Sequence, residues 1–151
     1  MMEMIDKEAI AALRQGNIGR LFQRAARAYS DLALIKLRES GHEGLTLFHT
    51  ALISNLDLEG TRITILAERA GVSKQAMGQL VADLEQRGYI ERAPDPSDGR
   101  ASLVKFTEQG WEFLQDAYRV KQAIEAKYAE ILGEDDMNSL WELLKKLLDN
   151  T

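Results

Sequence analysis

The apolar residues in the middle of the chain change from a helical period to the alternation of strands, and this change constrains the fold most. Residues 61–71 have the pattern of a short helix, with Thr64 as its expected N-cap and Gly71 as its stop. A tight turn follows, after which Ser73 is the expected N-cap of a second helix over residues 73–87. Two short helices joined by a glycine-containing turn predict a helix-turn-helix.

A β-hairpin is predicted directly after these two helices. Gly88 is the expected end of the second helix, and residues 89–93 and 102–106 have strand character. Between the strands, residues 94–99 are a run of turn-forming types with the sequence PDPSDG. A helix-turn-helix followed by such a hairpin predicts a winged helix-turn-helix.

The segments on both sides of this unit are helical. Residues 6–39 read as one long helix, and residues 45–56 as a second helix with Thr46 or a neighbour as its N-cap. Residues 107–132 and 134–148 give two further helices, separated by Gly133. The predicted fold class is therefore mainly α with one small β-hairpin: a winged helix-turn-helix plus N- and C-terminal helices whose wide apolar faces predict dimerisation.

The 151 residues carry a net charge of −5, which is unevenly distributed. Residues 1–60 have a net charge of −1, residues 61–107 of +1 and residues 108–151 of −5. We interpret these segments as N-terminal dimerisation helices on the effector-pocket side, a DNA-binding lobe and C-terminal dimerisation helices, within one intertwined unit. A DNA-binding protein needs a local basic surface rather than a high overall pI, so the charge permits DNA binding.

The composition excludes several classes of function. The chain has no cysteine, which excludes disulfides, thiolate zinc sites, cysteine nucleophiles and thiol-based redox sensing. The first 15 residues mix charged with apolar types, unlike a signal peptide, and no apolar run is long enough for a membrane span. No enzyme motif and no cofactor motif occurs. We expect a bacterial cytoplasmic protein that is not an enzyme, has no cofactor and does not bind a membrane.

The second helix of the pair is the candidate DNA-reading element, because such a helix presents its first turns to the major groove. Lys74 and the Ser73 hydroxyl suit phosphate, and Gln75 and Gln79 can make paired hydrogen bonds to adenine. Gly78 is unusual inside a helix; close approach to DNA would explain it, and so would mere tolerance. The residues expected to point outward are Ser73, Lys74, Gln75, Gly78, Gln79 and Asp83.

The hairpin is the candidate wing. Arg100 near its tip is placed to enter the minor groove, whose negative potential attracts a guanidinium group. Asp98 lies two residues earlier and is expected to hold the Arg100 side chain in position. A solvated hairpin charge is the alternative for Arg100.

Residues 64–110 resemble the MarR family of bacterial transcriptional regulators. The resemblance is carried by the runs LAERAGVSKQAM and LVADLEQRGYIER, by the wing signature Asp98-Gly99-Arg100 and by the exit Leu103…Phe106-Thr107…Gly110. It implies a homodimer with two winged heads set for a palindromic operator in double-stranded DNA. It further implies a repressor that is released by a small, often aromatic or phenolic, effector. This chain departs from the family where many members have Thr-Arg instead of Gly78-Gln79 and a basic residue instead of Asp83.

Several aromatic residues and a histidine are candidates for an effector pocket: Tyr29, Phe48, His49, Trp111 and Tyr118. Aromatic residues at helical spacing also form ordinary core, and that alternative stays open. His42 and His49 are the only histidines. A metal site is not favoured, because they are seven residues apart and no cysteine supports them.

Two alternatives concern the function as a whole. A winged helix can dock a protein partner without sequence-specific DNA binding, so a protein–protein interaction module is the competing hypothesis. Nothing in the residues distinguishes repression from activation.

Overall fold

A computed structural model describes residues 4–151, so residues 1–3 of the predicted N-terminal segment lie outside it. Over this range the chain forms seven helices and three short strands, which confirms the predicted fold class. In chain order the elements are α1 Lys7–Gly16, α2 Ile18–Glu39, α3 Leu47–Asn55, β1 Thr61–Arg62, α4 Ile63–Ala70, α5 Lys74–Gln86, β2 Ile90–Asp95, β3 Asp98–Phe106, α6 Glu108–Leu132 and α7 Glu134–Asp149.

The prediction of a single helix over residues 6–39 is wrong, because the helix is interrupted at Asn17. This residue has extended backbone angles, and its side-chain oxygen accepts a hydrogen bond of 2.9 Å from the Arg20 amide. Asn17 is thus the N-cap of α2, a role for which asparagine is among the best residues. The sequence pattern missed the break because the apolar period continues across it.

Most of the predicted helix ends are confirmed. Thr46 and Ser73 cap α3 and α5 by accepting hydrogen bonds from amides three residues later. Gly71 and Gly88 follow α4 and α5 with positive φ of 66° and 88°, a conformation that glycine adopts without strain. Thr64 is not an N-cap: α4 begins at Ile63 without a side-chain cap, because the preceding two residues are already fixed in a strand.

The sheet is antiparallel with strand order β1-β3-β2, so the hairpin gains a third strand that the sequence did not predict. Thr61 pairs with Val104 in β3, and Ile90 pairs with Phe106. A strand of two residues is too short to show an alternating pattern. The hairpin strands also extend further than predicted, leaving only residues 96 and 97 as the turn.

The core lies beneath the winged unit and continues into α3 and α6. Its largest fully buried side chains are Leu52, Leu66, Met77, Val81, Leu84, Ile90, Val104 and Ile124. On α5 the buried side chains are Met77, Val81 and Leu84, whereas Ala76 and Leu80 are only partly covered. Positions 77, 81 and 84 follow the helical repeat, and their burial leaves positions 75 and 79 on the outside.

The two ends of the described chain have little core of their own. Neither α1 nor α7 contains a buried residue. The apolar side chains left uncovered there and on the adjoining part of α2 are Ile10, Leu13, Ile18, Leu21, Phe22, Leu140, Trp141, Leu143, Leu144, Leu147 and Leu148. None of the helices within residues 4–151 combines the length and the hydropathy that a membrane-spanning segment needs.

Candidate nucleic-acid interface

The first turns of α5 form an exposed polar surface. Ser73 is exposed, and its hydroxyl oxygen accepts a hydrogen bond of 3.1 Å from the Ala76 amide, so its hydroxyl hydrogen is left to donate outward. Lys74, Gln75 and Gln79 are exposed as well. The structure thus brings the predicted helix residues to one surface, since the buried face of α5 points the other way.

Two glycines of this region have different physical roles. Gly71 in the turn before α5 has a φ of 66°, and a Cβ there would meet no other atom within 4 Å. Its role is therefore to adopt the left-handed backbone conformation of the turn, not to allow a close approach of the two helices. A Cβ on Gly78 would also meet nothing within 4 Å, and its φ is not positive. No contact among residues 4–151 therefore requires glycine at position 78.

Asp83 was expected to point outward, but it is engaged within the chain. Its Oδ2 accepts hydrogen bonds from His49 Nε2 at 2.5 Å and from Arg87 Nε at 3.1 Å. These contacts lower the pKa of Asp83, with the Arg87 hydrogen bond as the largest cause and the His49 hydrogen bond adding to it. The acidic group that departs from the MarR pattern is thus paired with Arg87 and His49, although its side chain is still 41% exposed.

Asp95 organises the turn of the wing, a role that the sequence did not reveal. Asp95 is 7% exposed, and its side chain accepts hydrogen bonds from the Ser97 amide at 2.9 Å and from the Ser97 hydroxyl at 2.7 Å. The guanidinium of Arg62 in β1 donates a further hydrogen bond of 2.6 Å. These contacts, led by those of Ser97, lower the pKa of Asp95 to about 2. Through Arg62, the turn of the wing is therefore linked to β1.

Arg100 follows the turn on the exposed part of β3. Asp98 accepts a hydrogen bond of 3.1 Å from the backbone amide of Arg100, and so it orders the backbone instead of holding the guanidinium as expected. Within residues 4–151, no carboxylate lies within salt-bridge distance of the Arg100 side chain. The guanidinium is thus available to an external anion.

Most cations of the winged unit are already paired. Residues 61–107, all of which the structure describes, contain seven basic side chains. Four of them form salt bridges: Arg62 with Asp95 at 2.6 Å, Arg69 with Asp57 at 3.0 Å, Arg87 with Asp83 at 3.1 Å and Arg92 with Glu85 at 3.5 Å. The other three, Lys74, Arg100 and Lys105, have no carboxylate within 4.0 Å in that part of the chain.

The five effector-pocket candidates do not meet at one site. A cavity of about 210 Å³ lies between α2, α3 and α6, and of the five only Tyr29 lines it. Trp111 and Tyr118 lie together along a separate shallow groove on α6. Phe48 is 68% exposed, and His49 is buried against α5 instead.

The cavity contains polar groups that the sequence analysis did not select. Ser30, Thr50 and Lys121 line it together with apolar side chains of α2, α3 and α6. Burial raises the pKa of the Tyr29 hydroxyl, and Glu125 adds a smaller effect in the same direction, so this group stays a neutral hydrogen-bond donor. Helix periodicity could not have located this set, because it depends on which faces of three helices meet.

The second histidine also has a role that was not predicted. His42 Nε2 lies 2.8 Å from Asp116 Oδ2, and its Nδ1 lies 3.0 Å from the Tyr89 hydroxyl. It thereby connects the loop before α3 with α6 and with the start of the hairpin. Within residues 4–151 no cluster of three histidine or carboxylate side chains suitable for a metal ion occurs.

Comparison with known proteins agrees with this geometry. A family model described as the MarR family matches residues 43–101, which include the whole of α5 and the wing tip. The transcriptional activatory protein BadR of Rhodopseudomonas palustris is 31% identical over an alignment of 155 residues, which covers 96% of this chain and 85% of that protein.

Solved structures resemble the fold over nearly its full length. A mutant MarR from Escherichia coli complexed with operator DNA has a TM-score of 0.71 at 23% identity, covering 91% of this chain and 97% of that chain. The PcaV transcriptional regulator from Streptomyces coelicolor, in complex with its natural ligand, has a TM-score of 0.65 at 23% identity, with 98% of both chains covered. Both likenesses concern the fold.

Proposed function

The chain belongs to the MarR family of transcriptional regulators, and from this premise we propose that it is a homodimeric repressor of a palindromic operator, released by a small effector. The observation that carries the DNA-binding part is the exposed polar start of α5, together with a wing whose Arg100 guanidinium has no salt-bridge partner within residues 4–151. Residues 61–107 are the proposed DNA-binding lobe, and the segments before and after it are the proposed dimerisation helices.

The proposed reading surface is the start of α5. Gln75 and Gln79 are one helical turn apart, so both side chains face the same groove, and each can form two hydrogen bonds to adenine. Lys74 and Ser73 are at the edge of this surface and suit phosphate. Gly78 leaves open space beside Gln79, which gives a base edge or a thymine methyl room to approach.

The proposed wing contact is Arg100 in the minor groove or on its phosphates. Asp98 fixes the backbone on which Arg100 is mounted, and Asp95 anchors the turn through Ser97 and Arg62. A wing held in this way presents the guanidinium with little loss of backbone entropy on binding.

Dimerisation is proposed from the uncovered apolar faces at the two ends of the chain. Ile18 and Phe22 of α2 and Leu140, Leu144 and Leu147 of α7 border one shared apolar groove. A second copy is the occupant that would bury these side chains in the same way on both subunits. Such a dimer would place two α5 helices about 34 Å apart, one DNA turn, as a palindromic operator requires.

The proposed effector site is the cavity between α2, α3 and α6. Its volume of about 210 Å³ and its apolar lining suit one aromatic ring. Tyr29 offers a neutral hydroxyl, and the Lys121 ammonium has no carboxylate within 4.0 Å in the described chain, so a phenolic or carboxylate group would find a partner. An effector that fits only one arrangement of these helices shifts the population between DNA-binding and released states.

Activation instead of repression is the second candidate, and one observation favours it. The relative from Rhodopseudomonas palustris, 31% identical to this chain, is named a transcriptional activatory protein. A reporter under the gene's own upstream region, with and without the protein, decides the sign. A fall in expression supports repression, and a rise supports activation.

The decisive experiment for DNA binding is fluorescence anisotropy with labelled duplex from the gene's own upstream region, against a scrambled duplex. Gln79→Ala is expected to weaken specific binding at least about thirtyfold, because a homodimer loses one paired base contact of about 1–3 kcal/mol in each half-site. Gln86→Ala is the matched control, because Gln86 is exposed on the same helix but lies at its far end. Light scattering on the same sample tests the dimer.

Three results would contradict the proposal. Equal affinity for both duplexes would leave a protein–protein interaction module as the better hypothesis. Equal effects of Gln79→Ala and Gln86→Ala would mean that the start of α5 does not read the bases. A stable monomer at micromolar concentration would exclude the proposed two-headed arrangement.

A further inference from the structure

Helix α3 lies between the cavity and the recognition helix α5. Leu47, Thr50, Ile53 and Ser54 of α3 line the cavity. His49 lies on a different side of α3 and does not line the cavity; it is 5% exposed and contacts α5 through Asp83. One short helix therefore touches the proposed effector site on one side and the proposed reading helix on the other.

The local backbone determines which nitrogen of His49 carries the hydrogen. His49 Nδ1 accepts a hydrogen bond of 3.0 Å from the Thr46 amide, and the Thr46 hydroxyl accepts one of 3.4 Å from the His49 amide. This is a capping box in which histidine replaces the usual glutamate or glutamine. Because Nδ1 is an acceptor, the neutral ring carries its hydrogen on Nε2 and donates it to Asp83 Oδ2 at 2.5 Å.

Asp83 is well placed to set the rotation of α5 about its axis. It lies one turn after Gln79 and two turns after Gln75, on nearly the same stripe of the helix. His49 is fixed at both ends, by Thr46 and by Asp83, so it forms a rigid strut between α3 and that stripe. A rotation of α5 that broke the strut would also turn the two glutamines away from their present direction.

We propose that His49 is a positioning residue for DNA recognition, which through Asp83 holds the reading helix α5 against the cavity-lining helix α3. This inference rests on the proposed DNA-binding function. It explains why an acidic side chain is tolerated near a DNA-binding surface, since the carboxylate is the acceptor that the strut requires. It also identifies α3 as the element through which a molecule in the cavity would act on α5.

Whether Asp83→Ala binds DNA more weakly or more tightly than the wild type distinguishes a positioning role of Asp83 from a purely electrostatic one. Asp83 is an anion on the lobe that approaches DNA, so its charge alone predicts tighter binding when it is removed. Positioning predicts the reverse, because Asp83→Ala releases α5 from His49. Asp83→Asn keeps an oxygen acceptor for His49 Nε2 and is expected to retain the affinity of the wild type or to exceed it.

Two variants at position 49 distinguish the contact made by Nδ1 of the His49 ring from the contact made by Nε2. An asparagine amide superposes on the Nδ1 end, so His49→Asn keeps an acceptor for the Thr46 amide and loses the donor to Asp83. A glutamine amide reaches the Nε2 end, so His49→Gln restores a donor to Asp83. The chain also offers a matched control, because the ring nitrogens of His42 bond to Asp116 at 2.8 Å and to the Tyr89 hydroxyl at 3.0 Å, neither of which belongs to α5.

The test measures the affinity for upstream duplex by anisotropy and the hydrogen exchange of α5 amides without DNA. We expect His49→Asn and Asp83→Ala to weaken DNA binding about tenfold, within the range for residues that couple two sites. The double variant loses no more than Asp83→Ala alone, because both changes remove the contact between His49 and Asp83, and only Asp83→Ala also removes the hydrogen bond from Arg87. His49→Gln recovers at least half of the loss in log Kd, and His42→Asn stays within about twofold of the wild type. Exchange in α5 increases in His49→Asn and Asp83→Ala, but not in His42→Asn.

The inference and the proposed function fail in distinguishable ways. A wild type that does not prefer the upstream duplex refutes the DNA-binding function, and the role in recognition with it. A wild type that binds, together with tighter binding by Asp83→Ala or unchanged binding by His49→Asn, refutes the strut alone. An equal loss in His42→Asn would attribute the effect to general packing. If His49→Asn does not fold, the comparison of Asp83→Ala with Asp83→Asn still shows whether loss of the Asp83 acceptor weakens or strengthens DNA binding.

Discussion

The salt dependence of DNA binding follows from the number of cations that the winged lobe leaves unpaired. Four of the seven basic side chains in residues 61–107 are engaged in salt bridges, which leaves Lys74, Arg100 and Lys105. A dimer therefore offers roughly four to six cations to phosphates, and the slope of log K against log salt is expected to be about −4 to −5.

Arg100→Ala removes one of these cations from each subunit. The slope should then decrease in magnitude by about 2. Arg92→Ala is the matched control: it removes the same charge from the same hairpin, but Arg92 is already paired with Glu85 at 3.5 Å. Its slope should change by less than about 0.5.

The assay is anisotropy with the upstream duplex at five or more salt concentrations, with identical buffers for the wild type and both variants. The comparison of slopes is independent of base-specific contacts, because those contacts shift the whole line without tilting it. Equal slopes for Arg100→Ala and Arg92→Ala would show that the net charge governs binding. An unchanged slope in Arg100→Ala would refute the assignment of Arg100 to DNA.

Three further predictions concern stability and assembly. Asp95 has a folded-state pKa of about 2, so its stabilising contribution is present above the usual carboxyl pKa near 4 and is lost as the pH falls toward 2. Asp95→Asn should therefore flatten the decline in the free energy of unfolding, measured by urea titration, between these two pH values. An unchanged decline would contradict this assignment. Gly71→Ala should destabilise the protein by about 1–2 kcal/mol because of its left-handed backbone, whereas Gly78→Ala should stabilise it by about 1 kcal/mol in the same urea titration. Leu144→Asp should shift the light-scattering mass toward the monomer, and a mass unaffected by this change would argue against the α7 interface.

The parts of the fold that the sequence predicts are those determined by neighbouring residues. The N-caps at Thr46 and Ser73 and the glycines after α4 and α5 act within one helical turn, so their residue types are informative by themselves. The hairpin was predicted for the same reason, from the turn formers between its strands. Strand β1 was missed because its two residues are fixed by pairing with β3, far along the chain.

The side-chain contacts of the site depend on distant residues, and the sequence predicted them least well. Asp95 meets Arg62 across 33 positions, and His49 meets Asp83 across 34. Neither pair has a periodic signature, so Asp83 was interpreted as an outward residue and His49 as a pocket residue. The aromatic candidates failed to converge for a related reason: a helical stripe identifies a face, but not which face of a second helix it meets.

The winged lobe has few unpaired cations and presents two glutamines on α5, and together these features favour selective over non-specific DNA binding. Non-specific DNA binding comes almost wholly from phosphate contacts, so pairing Arg62, Arg69, Arg87 and Arg92 internally lowers the affinity for every sequence. The base-edge hydrogen bonds proposed for Gln75 and Gln79 would add only to the affinity for the correct site. Regulation depends on the ratio of these two affinities, because the operator competes with the rest of the genome. A lobe with a net charge of only +1 can therefore remain selective while binding weakly, and a modest loss of alignment in α5 would suffice to release it.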